Sequence, residues 1–520
     1  MTRPLWTLAE IVAATGGKLD LPHKKTGGPE GVPPAEREAG LARAVGATIA
    51  GISIDTRTLE PGDLFVPLTD ARDGHEFVPQ AFAKGAIAAL VRQGYERTPG
   101  DGMLICVDDP LRALERIGIA ARTRLCDTAR VVAVTGSAGK TGTKEMLRAC
   151  LKVCASSPDK VHAPEKSFNN HWGVPLTLAR MPADAEYAVF EIGMNHAGEI
   201  SPLTRMVRPH IAIVTNVLPV HVGNFPDGEI GVANAKAEIF EGLTAPREVP
   251  AQGTRNPPGF GTAPNGVAII LRDSPHYERL RAAALSHGAA ILTFGRDQVS
   301  DAVLVGCEAH PGEGAEPISM IAAHLADTDE GFVVEYELGM PGAHIAANSL
   351  AVVLALRQLR CLKPAALRPL QGLRPASGRG ARQTIGARDR AILLLDESYN
   401  ANPASMAAAL QNLAGVPECS RRIAILGDML ELGAEAVQYH LGLKDAAAPA
   451  DLVLCCGPNM RYLSEALPAD KRGAWAPTSS ELIPAVLATI RPGDAVMVKG
   501  SLGSRMAPIV EAIKMHFAGG

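Results

Sequence analysis

The sequence lacks the marks of a nucleic-acid-binding or membrane-spanning protein. Its 520 residues carry a formal net charge of -4, without the basic excess typical of proteins that bind nucleic acid or anionic membrane surfaces. It also has no run of 18 uninterrupted apolar residues, the length that a membrane-spanning helix needs. We therefore expect neither a nucleic-acid partner nor a membrane span.

Cysteine is scarce and is not arranged in metal-binding pairs. The nine cysteines are an odd number; Cys150 and Cys154 fall on one predicted helix, and Cys455 and Cys456 are adjacent in an apolar run. This pattern is typical of buried free thiols in a reducing compartment, and it predicts no metal site.

The amino-terminal stretch reads as folded protein and not as a signal peptide. Thr7 and Glu10 have the spacing of a capping box, and Gly16 and Gly17 would end the helix that follows.

The whole chain is long enough for about three domains at roughly 150 residues each, and 47% of its 520 residues are hydrophobic. Short apolar runs that end in polar or glycine residues alternate with helical patterns, which predicts parallel strands in α/β sheets. The first series of runs covers residues 130–136, 186–193 and 210–217. The second series covers residues 391–398, 422–429, 451–457 and 494–501.

Composition also suggests where these units end. Residues 51–68 mix short strands with turns, which indicates a small α+β domain at the start. A Pro- and Gly-rich stretch at 246–266 predicts a mobile surface insertion, and residues 367–382 suggest a hinge. We therefore predict domains at 1–128, 129–373 and 374–520.

A phosphate-binding loop is the most informative motif. The segment VTGSAGKTGT, residues 134–143, follows an apolar strand and opens a helical pattern, and it matches the short form TGxxGKT. Backbone N–H groups at such a helix start converge on phosphate, Lys140 would reach the β and γ phosphates, and the Thr141 hydroxyl would bind Mg²⁺. The predicted nucleotide-binding residues here are Gly136, Ser137, Ala138, Gly139, Lys140, Thr141 and Gly142.

Three further residues could complete the site, and each has an ordinary alternative. Glu191 ends the second predicted strand and is either a metal ligand or a carboxylate that meets water. His221 follows the third strand and is either a ligand or a structural histidine. Lys236 lies on a short helical stretch, where an exposed lysine is the default interpretation.

The assembled motifs resemble the Mur ligase family, the ATP-dependent amide-bond-forming enzymes of peptidoglycan synthesis, over nearly the whole chain. The segments that carry the resemblance are SIDTRTLEPGDLFVPL, DGHEFV, TGSAGKT, NNHWGVPLTLAR, FEIGMNHAGEI, TNVLPVHVGNF, AKAEIF, DESYNANPASM and GDMLELG. Of these, AKAEIF, DESYNANPASM and GDMLELG are the most specific to the branch that adds a D-Ala-D-Ala dipeptide.

The resemblance implies three domains: a small α+β substrate-binding domain, a central P-loop ATP-binding α/β domain and a Rossmann-like C-terminal domain. It implies that ATP phosphorylates the terminal carboxylate of a UDP-N-acetylmuramoyl-tripeptide, and that D-Ala-D-Ala attacks the acyl phosphate. ATP and Mg²⁺ are the implied cofactors, and a cytoplasmic monomer acting on small molecules is the implied state.

The resemblance also implies roles for residues that the pattern alone leaves open. A second Mg²⁺ would lie beside His221, Lys236 would be carbamylated, and Asn170 would join Lys140, Lys236 and His221 in catalysis. Asn348, with His344 just before it, and Arg379 would contact the nucleotide. The implied substrate-binding residues are Ser53, Asp55, Thr56, Arg57, Asn169, Asp396, Ser398, Tyr399, Asn400 and Asn402.

One segment departs from the family pattern. An Asn-x-Asp-Asp-Pro run usually supplies an asparagine to adenine, but Leu271 and Ser274 replace its Asn and second Asp here. This departure favours one alternative, a nucleotide-binding homologue without catalysis. A second alternative is a related Mur or folylpolyglutamate-type ligase that adds a single amino acid, against which the segments DESYNANP and GDMLELG stand.

Overall fold

The structure is a computed structural model with three main sheets. It describes residues 4–22, 46–164, 167–245, 265–311, 317–326, 331–340, 342–387 and 390–518. The sheets have five, nine and six strands, and a two-stranded pair accompanies the first. The predicted class of three α/β units is confirmed. No helix in these described ranges is both long and apolar enough to cross a membrane.

The N-terminal unit is a largely parallel sheet, with three helices of regular α type among its described residues. Its strands are β1 (Trp6–Thr7), β2 (Lys18–Asp20), β3 (Thr48–Ile49), β4 (Gly51–Ser53), β5 (Asp63–Phe65), β6 (Ala88–Arg92) and β7 (Met103–Val107). Its helices are α1 (Leu8–Thr15), α2 (Val78–Ala83) and α3 (Pro110–Thr123). The sheet order is β2-β7-β6-β5-β4, and only β2 runs antiparallel to its neighbour.

The first helix begins and ends where the sequence predicts. The Glu10 N–H donates to the Thr7 hydroxyl, and the Thr7 N–H donates to the Glu10 carboxylate, which is a capping box. Gly16 then takes the left-handed conformation, with φ 67°, that ends helix α1.

The sheet of the central unit has nine strands in the part of the chain that the structure describes. They are β8 (Arg130–Thr135), β9 (Val161–His162), β10 (Tyr187–Glu191), β11 (Ile211–Val214), β12 (Val267–Leu271), β13 (Ala290–Gly295), β14 (Ala302–Pro311), β15 (Pro317–Leu325) and β16 (Phe332–Leu338). Its helices are α4 (Lys140–Cys154), α5 (Gly173–Ala179), α6 (Ile200–Val207), α7 (Glu229–Ala237), α8 (Tyr277–Ser286), α9 (Ala343–Gln358), α10 (Pro364–Leu367) and α11 (Pro369–Gly372).

The order of this sheet places β8 between β10 and β11. It runs β16-β15-β14-β13-β12-β11-β8-β10-β9, and the pairs from β9 to β14 are parallel. The three apolar runs predicted as strands are β8, β10 and β11, and they are neighbours. The loops at their carboxyl ends therefore meet at one edge of the sheet.

The antiparallel extension β14-β15-β16 is not predicted from the sequence. Strand β16 is mostly exposed over its first four residues and buried only toward its end, and Glu335 and Glu337 interrupt its apolar residues. An edge strand of this kind gives a weaker sequence signal than a buried parallel strand.

The C-terminal unit is a six-stranded sheet flanked by helices. Its strands are β17 (Ala381–Ile385), β18 (Ile392–Glu397), β19 (Arg422–Gly427), β20 (Leu452–Cys456), β21 (Arg472–Ala476) and β22 (Ala495–Lys499). Its helices are α12 (Pro403–Ala414), α13 (Ala436–Leu441), α14 (Lys444–Ala447), α15 (Met460–Ala466), α16 (Ser479–Thr489) and α17 (Ala507–Ala518). The order is β17-β18-β22-β19-β20-β21, and all pairs except β17-β18 are parallel. The second predicted series of strands is thus β18, β19, β20 and β22.

Hydrophobic cores divide the molecule differently from its sheets. One cluster runs without interruption from Trp6 and Leu64 in the first unit to Phe190 and Ile270 in the second. The Trp6 indole N–H also donates to the Ala179 carbonyl, at 2.8 Å. The C-terminal sheet has its own clusters, one on each face.

Three sequence predictions need correction or placement. The expected hinge at 367–382 contains the short helix α11 and the start of β17, so only residues 373–380 link the two units without helix or strand. Most of the expected insertion, residues 246–264, lies outside the described residues. All nine cysteines are free, but Cys126 and Cys307 are exposed and not buried as expected.

Candidate active site

The phosphate-binding loop lies between β8 and α4, as predicted. Gly136 has φ 146° and Gly139 has φ 81°, and a β-carbon at Gly136 would lie 1.9 Å from the Thr215 hydroxyl oxygen. Neither position could hold a larger residue. Helix α4 begins at Lys140, so the N–H groups of its first turn are free of helical partners and can receive an anion.

Two residues after β11 brace this loop, and the sequence analysis missed both. The Asn216 side chain accepts from the Ala138 N–H at 2.8 Å, and the Thr215 hydroxyl donates to the Ala138 carbonyl at 2.7 Å. The Ser137 hydroxyl is bonded to the backbone of Leu218. The signal was their position, since polar residues directly after a strand next to β8 must face its loop.

A buried carboxylate stands opposite the first turn of α4. Glu191 is 1% exposed at the end of β10. One of its oxygens accepts from the Thr141 hydroxyl at 2.9 Å, and the other accepts from the Asn169 amide at 2.8 Å. Both donors are neutral. A buried carboxylate beside a hydroxyl and an amide is an oxygen-rich set suited to a hard divalent cation.

The linker before β17 reaches the same place. The Arg379 guanidinium donates to the Ser167 hydroxyl at 3.1 Å, and Ser167 lies 3.2 Å from the Thr141 hydroxyl. Arg379 also stacks on the Tyr399 ring, 4.0 Å from its centroid. Ser167 was not predicted, and it joins the phosphate-binding loop to the C-terminal side of the cleft.

Lys140, His221 and Lys236 share one electrostatic environment. Burial lowers the pKa of Lys140; the Glu191 carboxylate opposes this shift, and Arg379 adds to it. Burial and then repulsion from Lys140 lower the pKa of Lys236 well below its ordinary value. Burial lowers the pKa of His221 as well; Glu431 opposes that shift, while Lys236 and Lys140 add to it.

Lys236 is not the exposed helical lysine of the default interpretation. It is 3% exposed on α7, and no carboxylate among the described residues offsets its desolvation. Burial therefore favours the neutral amine of Lys236, which is the nucleophilic form of a lysine.

His221 contacts the C-terminal unit. Its backbone is left-handed, with φ 60°, and its Nδ1 bonds to the Glu431 carboxylate. The sequence predicted His221 but not Glu431, because the two are 210 positions apart.

Asn348 lies directly over the loop. It is 2% exposed on α9, and its side-chain nitrogen is 2.1 Å from where a β-carbon on Gly139 would stand. This nitrogen has no hydrogen-bond partner in the described structure. An unpaired buried donor beside a phosphate-binding loop fits a nucleotide that completes it.

The Asn402 side chain caps a helix, whereas the Asn170 side chain binds backbone N–H groups in the turn that leads into one. The Asn170 side chain accepts from the Gly173 N–H at the start of α5, at 2.9 Å. The Asn402 side chain accepts from the Ser405 N–H at the start of α12, at 2.9 Å.

The other predicted residues near β18 organise the linker. Asp396 is buried and accepts from Ser377, from the Gly378 N–H and from the Ser398 hydroxyl. The Asn400 carbonyl accepts from Lys499 at 3.0 Å. Burial lowers the pKa of His344 at the start of α9; Glu397 of the C-terminal sheet opposes this shift, and Lys499 adds to it.

The predicted substrate-binding residues of the N-terminal unit lie at the end of β4 and in the turn that follows it. The buried Ser53 hydroxyl donates to the Asp55 carbonyl, and Asp55 pairs with Arg57 at 2.6 Å. The Thr56 hydroxyl bonds to Gln80, at 3.2 Å. Arg57 is 86% exposed and available to an anionic ligand.

Leu271 and Ser274, which replace the Asn and Asp of the expected adenine-binding segment, lie at and just after the end of a strand. Leu271 ends β12 and packs partly against the hydrophobic core. The Ser274 hydroxyl accepts from the His276 N–H, at 3.2 Å. Leu271 can offer adenine an apolar contact but no side-chain hydrogen bond.

Comparison with known proteins gives matches in the same regions. Residues 134–251 match the Mur ligase middle domain, and residues 382–502 match the Mur ligase glutamate ligase domain. The Escherichia coli UDP-N-acetylmuramoyl-tripeptide–D-alanyl-D-alanine ligase is 32% identical over 483 residues, which cover 90% of this chain and 94% of the relative.

Solved structures agree on the fold. The MurF structure from Acinetobacter baumannii superposes with a TM-score of 0.76 at 26% identity, covering 99% of each chain. The MurF ligase of Thermotoga maritima in complex with ADP superposes with a TM-score of 0.70 at 21% identity, covering 90% of this chain and 97% of that one.

Proposed function

This chain belongs to the Mur ligase family, and we propose that it joins D-alanyl-D-alanine to the terminal carboxylate of a UDP-N-acetylmuramoyl-tripeptide at the expense of ATP. The observation that carries the proposal is the cluster at the edge of the central sheet. There Lys140, Thr141 and Glu191 meet Arg379 from the linker, beside a loop shaped for phosphate.

The main physical obstacle to the reaction is that two anions must meet. A substrate carboxylate has to approach the γ-phosphate, so positive charge and hydrogen-bond donors must offset their repulsion. Lys140 now donates to the Gly136 carbonyl at 2.6 Å and would turn to the phosphates of a bound nucleotide. Arg379 would add a second cation, and the N–H groups at the start of α4 would hold phosphate oxygens.

Thr141 and Glu191 would hold Mg²⁺, and their donor atoms fit that ion. Among the described residues, no three His, Cys, Asp or Glu side chains gather into a closed metal site. Mg²⁺ in phosphoryl-transfer sites usually has one or two protein carboxylates, and the nucleotide supplies other ligands. When bound, the ion would neutralise charge on the transferring phosphoryl group.

Lys236 would act after reaction with carbon dioxide. Its neutral amine would attack the carbon of CO₂, a nitrogen–carbon bond would form, and one proton would leave to solvent. The resulting carbamate carries a negative charge, so it removes the repulsion with Lys140 and offers oxygen atoms to a second cation beside His221. The buried position of Lys236 supports this role.

Ligation would follow in two steps. A tripeptide carboxylate oxygen attacks the γ-phosphorus, and the bond to the ADP oxygen breaks. The D-Ala-D-Ala amine then attacks the acyl carbon, loses a proton, and the carbon–oxygen bond breaks to release phosphate. Closure of the C-terminal unit about residues 373–380 would exclude the water that hydrolyses the acyl phosphate.

The first experiment measures phosphate release with Mg²⁺ and ATP, with UDP-N-acetylmuramoyl-tripeptide and D-Ala-D-Ala together and with each omitted. Release that requires both, with a UDP-linked pentapeptide detected by mass, is the expected result. Product with a single amino acid in place of the dipeptide would favour the related ligases. ATP hydrolysis indifferent to both substrates, or binding without turnover, would contradict the proposal.

A further inference from the structure

The loop that carries His221 is held in place by residues of the C-terminal unit. Residues Val222–Asn224 form a single turn of 3-10 helix, and His221 before it has left-handed backbone. On the C-terminal side, Glu431 is also left-handed, with φ 62°. Left-handed backbone costs a non-glycine residue about 1–2 kcal/mol. Because such a residue stands on each side of this contact, we infer that surrounding interactions hold both backbones in this conformation.

Glu431 holds this loop at two points. Its carboxylate bonds to Nδ1 of His221, and its backbone carbonyl accepts from the Gly223 N–H at 3.1 Å. The backbones meet closely, because a β-carbon on Gly223 would lie 2.8 Å from the nitrogen of Gly433.

Packing adds an independent contact to these bonds. The Val222 side chain packs against the N-terminal and central core, and it also packs against the core of the C-terminal unit. The turn is therefore part of the interface between the units. The Glu431 side chain is 47% exposed, so its ion pair with His221 alone would be worth only about 0–1 kcal/mol. The backbone bond and this packing are what hold the turn against the C-terminal unit.

We propose that Glu431 is a positioning residue for His221, so that docking of the C-terminal unit sets the orientation of this imidazole in the active site. The inference rests on the proposed function. With Nδ1–H donating to the carboxylate, the imidazole keeps the lone pair on Nε2, which is the atom that can approach a cation. Docking of the C-terminal unit would then also complete the cation site, because it brings Glu431 to His221.

Mn²⁺ binding and catalysis test this assignment together. The variants are Glu431→Ala, Glu431→Gln, which keeps an acceptor, and Glu435→Ala, which removes an exposed carboxylate four residues on. Mn²⁺ affinity is measured by electron paramagnetic resonance with ADP present, and kcat and KM are measured for ligation. Loss of a group that orients a metal-ligating histidine typically costs about 10–100-fold in metal affinity or activity.

We expect Glu431→Ala to lose about 10–100-fold in Mn²⁺ affinity and in kcat, with the KM for UDP-N-acetylmuramoyl-tripeptide unchanged. Glu431→Gln should recover part of both losses, and Glu435→Ala should match the parent protein. Equal Mn²⁺ affinity in the parent and in Glu431→Ala would overturn the proposal, as would equal losses in Glu435→Ala.

Gly223→Ala tests the contact from the central side without altering either partner side chain. Its added methyl group should separate the two backbones, speed hydrogen exchange of residues 221–224 and weaken Mn²⁺ binding. Unchanged exchange and affinity in this variant would argue against coupling. If the parent protein makes no pentapeptide, the proposed function fails, whereas the Mn²⁺ and exchange measurements still decide the role of Glu431.

Discussion

At the scale of single residues, Lys140 has the most direct chemical role that we propose. It is half-buried at the start of α4, where its charge would meet the phosphates. We expect Lys140→Ala to lower kcat about 100-fold or more, in the range seen when a group that stabilises transition-state charge is removed. Lys152→Ala, in the last turn of the same helix, is the matched control. Near-normal ligation by Lys140→Ala would contradict the loop assignment.

Lys236 gives a second prediction at this scale. Because its amine is buried and its pKa is well below the ordinary value, we expect it to react with CO₂. Depletion of bicarbonate should lower activity, and short-chain carboxylates should partly restore Lys236→Ala. An intact mass without added CO₂ in fully active protein would show that the modification is not needed.

At the scale of elements, the N-cap of helix α12 allows the structural role of Asn402 to be tested separately from its predicted contact with substrate. Asn402 closes a capping box with Ser405, so Asn402→Ala should lower the free energy of unfolding by about 1 kcal/mol. Asn402→Ser should restore most of that stability, and Gln411→Ala on the same helix should cost little. A raised KM for D-Ala-D-Ala that persists in Asn402→Ser would assign Asn402 a contact with substrate as well. Equal denaturation midpoints for Asn402→Ala and the parent would refute the cap.

Strand β8 depends on a histidine that must stay neutral. His210 accepts the Val131 N–H through Nδ1 at 3.0 Å, and burial, with nearby Arg122, Arg130 and Arg208, lowers its pKa to about 3. An unfolded histidine titrates near 6.5, so between these values the unfolded state binds the extra proton. The stability that His210 contributes is therefore complete above pH 6.5 and is lost as pH falls.

His210 should give the free energy of unfolding a slope of up to about 1.4 kcal/mol per pH unit, between its folded pKa of about 3 and its unfolded pKa near 6.5. The measurement is urea unfolding at a series of pH values between 4 and 7. His210→Gln should reduce the slope even if it lowers stability throughout, and exposed His287→Gln should leave the slope unchanged. Some slope should remain, because burial also lowers the pKa of His162, to about 4. A slope in His210→Gln equal to that of the parent protein would assign the effect to other groups.

At the scale of the whole molecule, the cores predict two unfolding units and not three. The N-terminal and central sheets share one hydrophobic cluster, whereas the C-terminal sheet is covered by its own clusters. Calorimetry should therefore resolve two transitions. A fragment of residues 374–520 should unfold cooperatively, and residues 1–128 alone should not, because Trp6 and Ile117 would lose the partners that bury them. Three independent transitions would contradict this division.

Much of the fold and part of the site follow from the sequence itself. Buried parallel strands need continuous apolar runs, so β8, β10, β11, β18, β19, β20 and β22 are predictable, as are the cap at Thr7 and the loop around Lys140. These signals are local: each depends on residues within a few positions of one another.

Only the tertiary structure decided which distant residues meet. Ser167 joins Thr141 to Arg379, Asn216 braces Ala138, and Glu431 reaches His221 across 210 positions. It also decided that Lys236 is buried, which a short helical pattern cannot reveal. The reason is physical: strand order, core packing and domain docking bring these side chains together, and one sequence records none of those pairings directly.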